Sequence, residues 1–272
     1  MLKLDYLSVV RFSGSEAGRF LHGQLSADVL GLDSGDSTFA CYCEPKGRVL
    51  ALLLVHNAGE EYLVIMSAAL AASVSQRLKL YVMRSDVVVE LLSGHMVSGL
   101  YADEEPEPAL TSNCAIRLAG GPQWLLVSPH ESASDTNTIL QEDWKTSELH
   151  QGISWLDPGS SGQLLPQWLG IEELGAVNYR KGCYPGQEIV ARTHYLGKVK
   201  RHPRLITSLL ATAPRTMDKI GLISDGQTYD GIVVDYSSAK DGSYCLLVVT
   251  RMDPDLATRQ LEYLGNITEV ME

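Results

Sequence analysis

The chain has 272 residues, 45% of them hydrophobic and 20% charged, with 24 glycines and 11 prolines, a composition that excludes a disordered chain and leaves room for two compact units. Its 22 basic and 33 acidic side chains give a net charge of −11, which repels polyanions over most of the surface and argues against a broad nucleic-acid-binding face. Five cysteines, at 41, 43, 114, 183 and 245, include no CxxC pair, which argues against a disulfide framework and a tetrahedral zinc site. Reduced thiols and no permanently bound metal are expected.

The start, MLKLDYLSVVRF, carries Asp5 and Arg11 inside its short apolar run, so it lacks a signal-peptide core, and no apolar stretch reaches membrane-spanning length. A cytoplasmic protein without membrane contact is the expectation. Leu7 to Phe12 reads as a strand, and Ser13 with Glu16 reads as a capping box opening a helix whose face is Phe20, Leu21, Leu25 and Val29. Thr38 to Cys43 and Arg48 to Val55 are strands joined by Glu44-Pro45-Lys46-Gly47, a tight hairpin. Glu61 to Met66 is a further strand. Ala68 to Leu80 is a helix with Leu70, Val74, Leu78 and Tyr81 on one side, and strands follow at Val87 to Leu92 and Met96 to Leu100.

Residues 102 to 109, ADEEPEPA, read as an exposed connection between subdomains. Cys114 to Leu118 and Trp124 to Ser128 form a hairpin turning at Gly120-Gly121-Pro122. Helical pieces are expected near Ser134 to Gln141 and Asp143 to His150, and an irregular loop over Gly152 to Gln163. Four β-type runs close the chain: Leu205 to Leu210, Thr228 to Tyr236, Tyr244 to Arg251 and Gln260 to Leu264. They predict a small antiparallel barrel or sandwich. The expected class is α+β, with residues 1–198 as one region of two subdomains, connected near 101–110, and residues 199–272 as a separate β domain.

The chemistry concentrates at RKGCYPGQE, residues 180 to 188. Adjacent cations and helix N-termini favour a thiolate, and here Arg180 and Lys181 precede Cys183 while Pro185-Gly186 leads into GQEIVART, a short helix with Gln187 and Glu188 in its first turn. Gly182 and Gly186 allow the backbone to bend tightly and approach a ligand. From Arg180 to Arg204 the chain carries seven cations (180, 181, 192, 198, 200, 201 and 204) against Glu188 alone, a local +6 that suits an anionic ligand. The competing readings are a buried turn cysteine in a solvated basic loop, and a cysteine hydrolase using His194 or His202. Nucleotide-binding glycine motifs are absent.

KGCYPGQE closely resembles the KGCYxGQE signature of the YgfZ family, folate-binding relatives of the glycine-cleavage T-protein that are linked to iron–sulfur clusters. FLHGQLSADV at 20 to 29, CEPKGRV at 43 to 49 and SGQLLPQ at 161 to 167 resemble further segments of that family in the same order. The resemblance implies two intertwined α/β portions around a central opening, with a C-terminal β-barrel. It implies a tetrahydrofolate-binding protein that supports iron–sulfur cluster assembly or repair, and thereby cluster-dependent tRNA-modifying (thiolating) enzymes. Its partners would be folate and the cluster assembly machinery or those enzymes, with direct tRNA contact, if any, weak. Carried over, Cys183 and Lys181 are the catalytic candidates, and Trp144, Arg180, Lys181, Tyr184, Gln187 and Glu188 the folate-binding ones, with Trp144 either against the folate ring or a core anchor. Two departures stand out. Leu7 replaces an aromatic found in some relatives, and Val49-Leu50-Ala51-Leu52-Leu53 lacks the carboxylate that serves the T-protein's transfer. A tetrahydrofolate-dependent aminomethyltransferase is therefore the alternative reading.

Overall fold

The computed structural model describes residues 1–106, 114–118, 121–129, 141–197 and 199–271. The helical piece expected near residues 134–141 falls largely outside the described residues, as do the end of the proline-containing connection (107–109), the glycine at 120 and the lysine at 198.

The first strand pair in sequence already serves two sheets. β1 (Leu2–Lys3) joins a four-stranded sheet, whereas β2 (Leu7–Ser13) lies inside a five-stranded one. After β2 the chain turns at Gly14 (φ +103) into α1 (Ala17–Gln24). The expected Ser13–Glu16 capping box does not form. Glu16 turns its carboxylate to the backbone N–H of Asp86, and the helix stops at Gln24 rather than continuing to Val29. The chain then makes an isolated bridge from Leu25 to Tyr42 and a short 3-10 turn at Val29–Gly31.

β3 (Ser37–Cys43) and β4 (Val49–Asn57) form the expected hairpin, β5 (Glu61–Ser67) follows, and α2 (Ala68–Val82) packs Leu70, Val74 and Leu78 into the core. Tyr81 is exposed instead, beyond the last core-facing turn. β6 (Val88–Leu91) completes a sheet of order β3-β4-β5-β2-β6. β4 is buried at almost every position because the sheet is covered on both faces, which explains its unbroken apolar run.

β7 (His95–Tyr101), β8 (Cys114–Arg117) and β9 (Gln123–Pro129) join β1 in the order β1-β7-β9-β8. α3 (Gln141–His150) packs its Trp144 on this sheet at Gly99, where a methyl group would come within 2.8 Å of the indole. The stretch 152–163 has no regular element, as expected, and ends at a short α4 (Pro166–Leu169). α5 (Gln187–Leu196) is the helix foreseen after Pro185-Gly186.

The remaining strands are β10 (His202–Leu209), β11 (Lys219–Ser224), β12 (Gln227–Ser238), β13 (Ser243–Thr250), β14 (Gln260–Tyr263) and β15 (Asn266–Met271). They close a barrel in the order β10-β13-β12-β11-β14-β15. β13 shows how the barrel attaches. Leu246 and Val248 fill its interior, while Cys245, Leu247 and Val249 face outward into the main core, so alternate residues serve two cores. The fold is α+β with a closed C-terminal barrel, as the sequence suggested. Among the described residues no helix is long and apolar enough to cross a membrane.

Candidate functional site

The four sequence segments singled out above meet at one place. The stretch before Cys183 is stitched to the end of α1: Asn178 N–H donates to Ser26 O (2.9 Å), and the Ser26 hydroxyl accepts from Cys41 N–H at 2.7 Å. Asn178 Oδ1 in turn accepts from the backbone N–H groups of Arg180 (2.8 Å) and Lys181 (3.1 Å), shaping the turn that presents the thiol. Lys181 extends its ammonium to the carbonyls of His22 and Leu25 (2.6 Å for the latter), where helix α1 ends and a cation is favoured.

The glycines have a sharper role than loop bending. At Gly186 (φ +84) a side chain would strike Glu44 O at 2.5 Å and the Gly47 backbone at 2.8 and 2.9 Å. The β3–β4 hairpin and the Cys183 loop therefore interlock glycine against glycine. Gly186 approaches this backbone instead of a ligand, and Gly182 is open: among the described residues a side-chain carbon there would meet only His22 Nε2, at 3.8 Å.

The SGQLLPQ segment clamps the same hairpin from the other side. Ser161 donates to Leu50 O (2.7 Å), Val49 N–H to Leu164 O (2.9 Å), and Arg48 to Gln163 O. Gln167, buried, bonds Tyr179 (2.9 Å) and the α5 carbonyl of Val190 (3.1 Å).

Cys183 is exposed, and the other four cysteines are buried. Burial pulls the Lys181 ammonium down to about 8, opposed by Asp28 and by the Cys183 sulfur. The Tyr184 ring lies beneath that ammonium (5.1 Å), and its hydroxyl, raised first by burial and then by Cys43 and Cys41, is buried without a partner among the described residues. Arg180 and Glu188 are exposed and form no ion pair among the described residues, and the Gln187 N–H donates to Tyr184 O at 3.2 Å.

Two residues not anticipated as functional join this group. His22 Nδ1 lies 3.2 Å from Asp28 Oδ1, with its other ring nitrogen toward Gly182. Burial and then Lys181 hold the imidazole below its ordinary value, against Asp28, so it stands neutral beside the thiol loop. Both residues lie inside FLHGQLSADV, so the signal was present in the sequence. His194, by contrast, is engaged elsewhere: it stacks on Tyr179 (3.9 Å) and pairs with Glu172 (3.2 Å).

A separate cavity of about 360 Å³ opens where the two sheets, α3 and the barrel meet, lined among others by Tyr6, Lys145, Trp155, Asp157, Asp235 and Tyr236. Tyr6 and Trp155 are held by one buried carboxylate. Glu148 accepts from Tyr6 (2.7 Å), Trp144 Nε1 (3.1 Å) and Trp155 Nε1 (3.1 Å), and burial still pushes it up to about 7. Burial likewise raises Asp235, opposed by Lys145 at 2.7 Å. Burial also acts to raise Asp157, but bonds from Thr216 and Ser160 outweigh it and keep that carboxylate ionised. No residue of the Cys183 loop lines this cavity.

Of the two readings of Trp144, ligand contact or core anchor, its surroundings favour the second. Its side chain is 0% exposed, with Gly99 on its face and Tyr101 at its edge (5.1 Å), so it is a core anchor. The aromatic that reaches the cavity near the first strand is Tyr6, one residue before the Leu7 position considered from the sequence. Among the described residues no cluster of three or more His, Cys, Asp or Glu is arranged to hold a metal ion.

No family model matches the chain. It is similar to the tRNA-modifying protein YgfZ of Colwellia psychrerythraea, 25% identical over 280 residues that cover 94% of this chain and 86% of that protein. It is likewise 25% identical over 295 residues to the tRNA-modifying protein YgfZ of Klebsiella pneumoniae, covering 98% and 90%. Among solved structures it resembles the glycine cleavage system aminomethyltransferase T of Bartonella henselae, with a TM-score of 0.74 over 99% of this chain and 83% of that one. Sequence identity there is 14%, so that likeness shows the fold alone. The resemblance to the YgfZ family carried by the four segments thus extends over nearly the whole chain.

Proposed function

We propose that this chain, similar throughout to the YgfZ proteins, binds a reduced folate in the junction cavity and supports iron–sulfur cluster assembly or repair through Cys183, and so sustains tRNA thiolation. The observation that carries the folate reading is the chemistry of the cavity walls. Three aromatic side chains, Tyr6, Trp155 and Tyr236, offer faces and edges for a flat heterocycle, and the Asp157 carboxylate is an acceptor for its ring N–H groups. A volume of about 360 Å³ suits the bicyclic head of the ligand, within the ~300–1,000 Å³ typical of small-molecule sites. When bound, the folate would supply a one-carbon carrier. Lys145, already partnered by Asp235, holds a cation at the rim for the anionic part of the molecule.

The thiol reading rests on a different observation: four separate chain segments are spent on fixing one exposed loop around Cys183. Lys181 and neutral His22 flank it, the first as a nearby cation and the second as a proton acceptor held in orientation by Asp28. Arg180 and Glu188 stand exposed on the same segment, before and after the thiol in the chain, with Gln187 half-buried between them. Cluster or sulfur is cargo at this site, and the client enzymes make the thiolated nucleosides.

The test is complementation. In a strain lacking its YgfZ protein, wild type is expected to restore thiolated tRNA nucleosides, measured by mass spectrometry, and Cys183→Ser to leave them depressed at equal protein level. Full restoration by Cys183→Ser would dismiss the thiol.

A further inference from the structure

The barrel carries a second cavity that the folate and thiol readings do not use. It measures about 290 Å³ and is lined by Arg201, Lys219, Asp230, Gly231, Ile232 and Arg251. The register explains why these residues converge. His202 and Gly231 both pair with Thr250, so Arg201, one step before β10, and Arg251, one step after β13, emerge at the same barrel end. Lys219 opens β11 and pairs with Ile232 in the adjoining strand.

None of the three cations forms an ion pair among the described residues. With Asp230 as the single acid of the lining, the site carries a net +2 (three positive less one negative) in a chain whose total is −11. Gathering three like charges around one cavity is unfavourable for the fold alone and becomes favourable when an anion enters. The Arg201 guanidinium lies 5.0 Å over the Trp168 ring, outside the cavity lining, so its partner in the fold is an aromatic face and its charge is left unpaired among the described residues.

We propose that this barrel-end cavity binds a phosphate monoester dianion. Two guanidinium forks and an ammonium match a tetrahedral oxyanion, and the net charge of the site matches the ~−1.5 to −2 of such a group near neutral pH. A single carboxylate would leave about half of that charge unanswered. The cavity shares no lining residue with the junction cavity, so its ligand is independent of folate.

The same chemistry arrives on a nucleoside monophosphate or on the 5′ end of an RNA, and the experiment separates them. Calorimetry on the full chain at constant ionic strength would use inorganic phosphate, adenosine monophosphate, and a short RNA with and without its 5′-phosphate. Inorganic phosphate is expected to bind one site, and the double change Arg201→Ala with Arg251→Ala to weaken it about tenfold or more. Circular dichroism checks the fold of that variant; should it unfold, the single change Lys219→Gln decides, with a loss of about threefold or more expected. Tighter binding of the mononucleotide, or of the RNA only when it is phosphorylated, names the source. Phosphate binding no tighter than chloride, affinity unchanged in a folded variant, or equal competition by tri-γ-glutamate would overturn the assignment.

Discussion

Replacing Gly186 by alanine probes the contact on which the thiol loop depends. Gly186 sits at φ +84, a region that costs an L-residue about 1–2 kcal/mol. Its new methyl group would also meet backbone atoms, Glu44 O at 2.5 Å and Gly47 at 2.8 and 2.9 Å, which have no rotamer by which to escape. Overpacking of that kind adds about 1–3 kcal/mol, so the expected loss is ~2–5 kcal/mol, a large share of the ~5–15 kcal/mol that holds a domain folded. Gly182→Ala, in the same signature, is the internal control: its site is open and free of positive φ, and a change within ~0.5 kcal/mol is expected. Urea denaturation of the three proteins measures both. A Gly186→Ala protein within ~0.5 kcal/mol of wild type would refute the interlock.

Labelling the native protein with an aromatic disulfide reagent should modify one thiol rapidly, Cys183, and the remaining four only after denaturation; two or more fast thiols would contradict the burial of those four. The folded chain keeps the Glu148 proton up to about pH 7, whereas an unfolded chain releases it near its ordinary 4.5. Stability should therefore fall by about 3 kcal/mol as pH rises from 4.5 to 7, and Glu148→Gln should flatten that slope in pH-dependent denaturation. Lys181 behaves in the opposite sense. Its folded value near 8 lies below the ordinary 10.5, so stability should rise between those limits and Lys181→Met should remove the rise. The same variant should slow alkylation of Cys183 at neutral pH, measured with iodoacetamide, and an unchanged rate would separate the ammonium from the thiol.

Most of the architecture was legible because it rests on local patterns. The hairpin at Pro45-Gly47, the helix at 68, and the barrel runs announce themselves through turn residues and periodicity. β11 and β15 were missed, and β15 for a clear reason: it exposes alternate residues such as Ile267 and shows no apolar face of its own. The capping box failed because Ser13 stays in β2, paired with Glu61 and Val88, while Glu16 accepts from the backbone N–H of Asp86, a tertiary effect invisible to a four-residue window.

At the site, Cys183 and Lys181 stood out because charge and glycine surround them, and the structure brings them together with His22 and Asp28. The close approach of Gly186 to Glu44 and Gly47 could not be read, since it joins positions about 140 residues apart in the chain. Trp144 stayed open between two readings for a related reason. An indole on a helix serves a ligand or a core equally well in sequence, and only Gly99 opposite it decides for the core. Tyr6, Trp155 and Asp157 carry no motif at all and become a group only when the sheets, α3 and the barrel close around them.

The most direct measurement is a titration with tetrahydrofolate under reducing conditions, comparing wild type with Trp155→Leu and with Arg251→Ala. The account expects saturable binding to wild type, at least about tenfold weaker binding to a folded Trp155→Leu protein, and no change for Arg251→Ala. Equal affinity in wild type and Trp155→Leu, or no binding to either, would contradict a folate site at the junction.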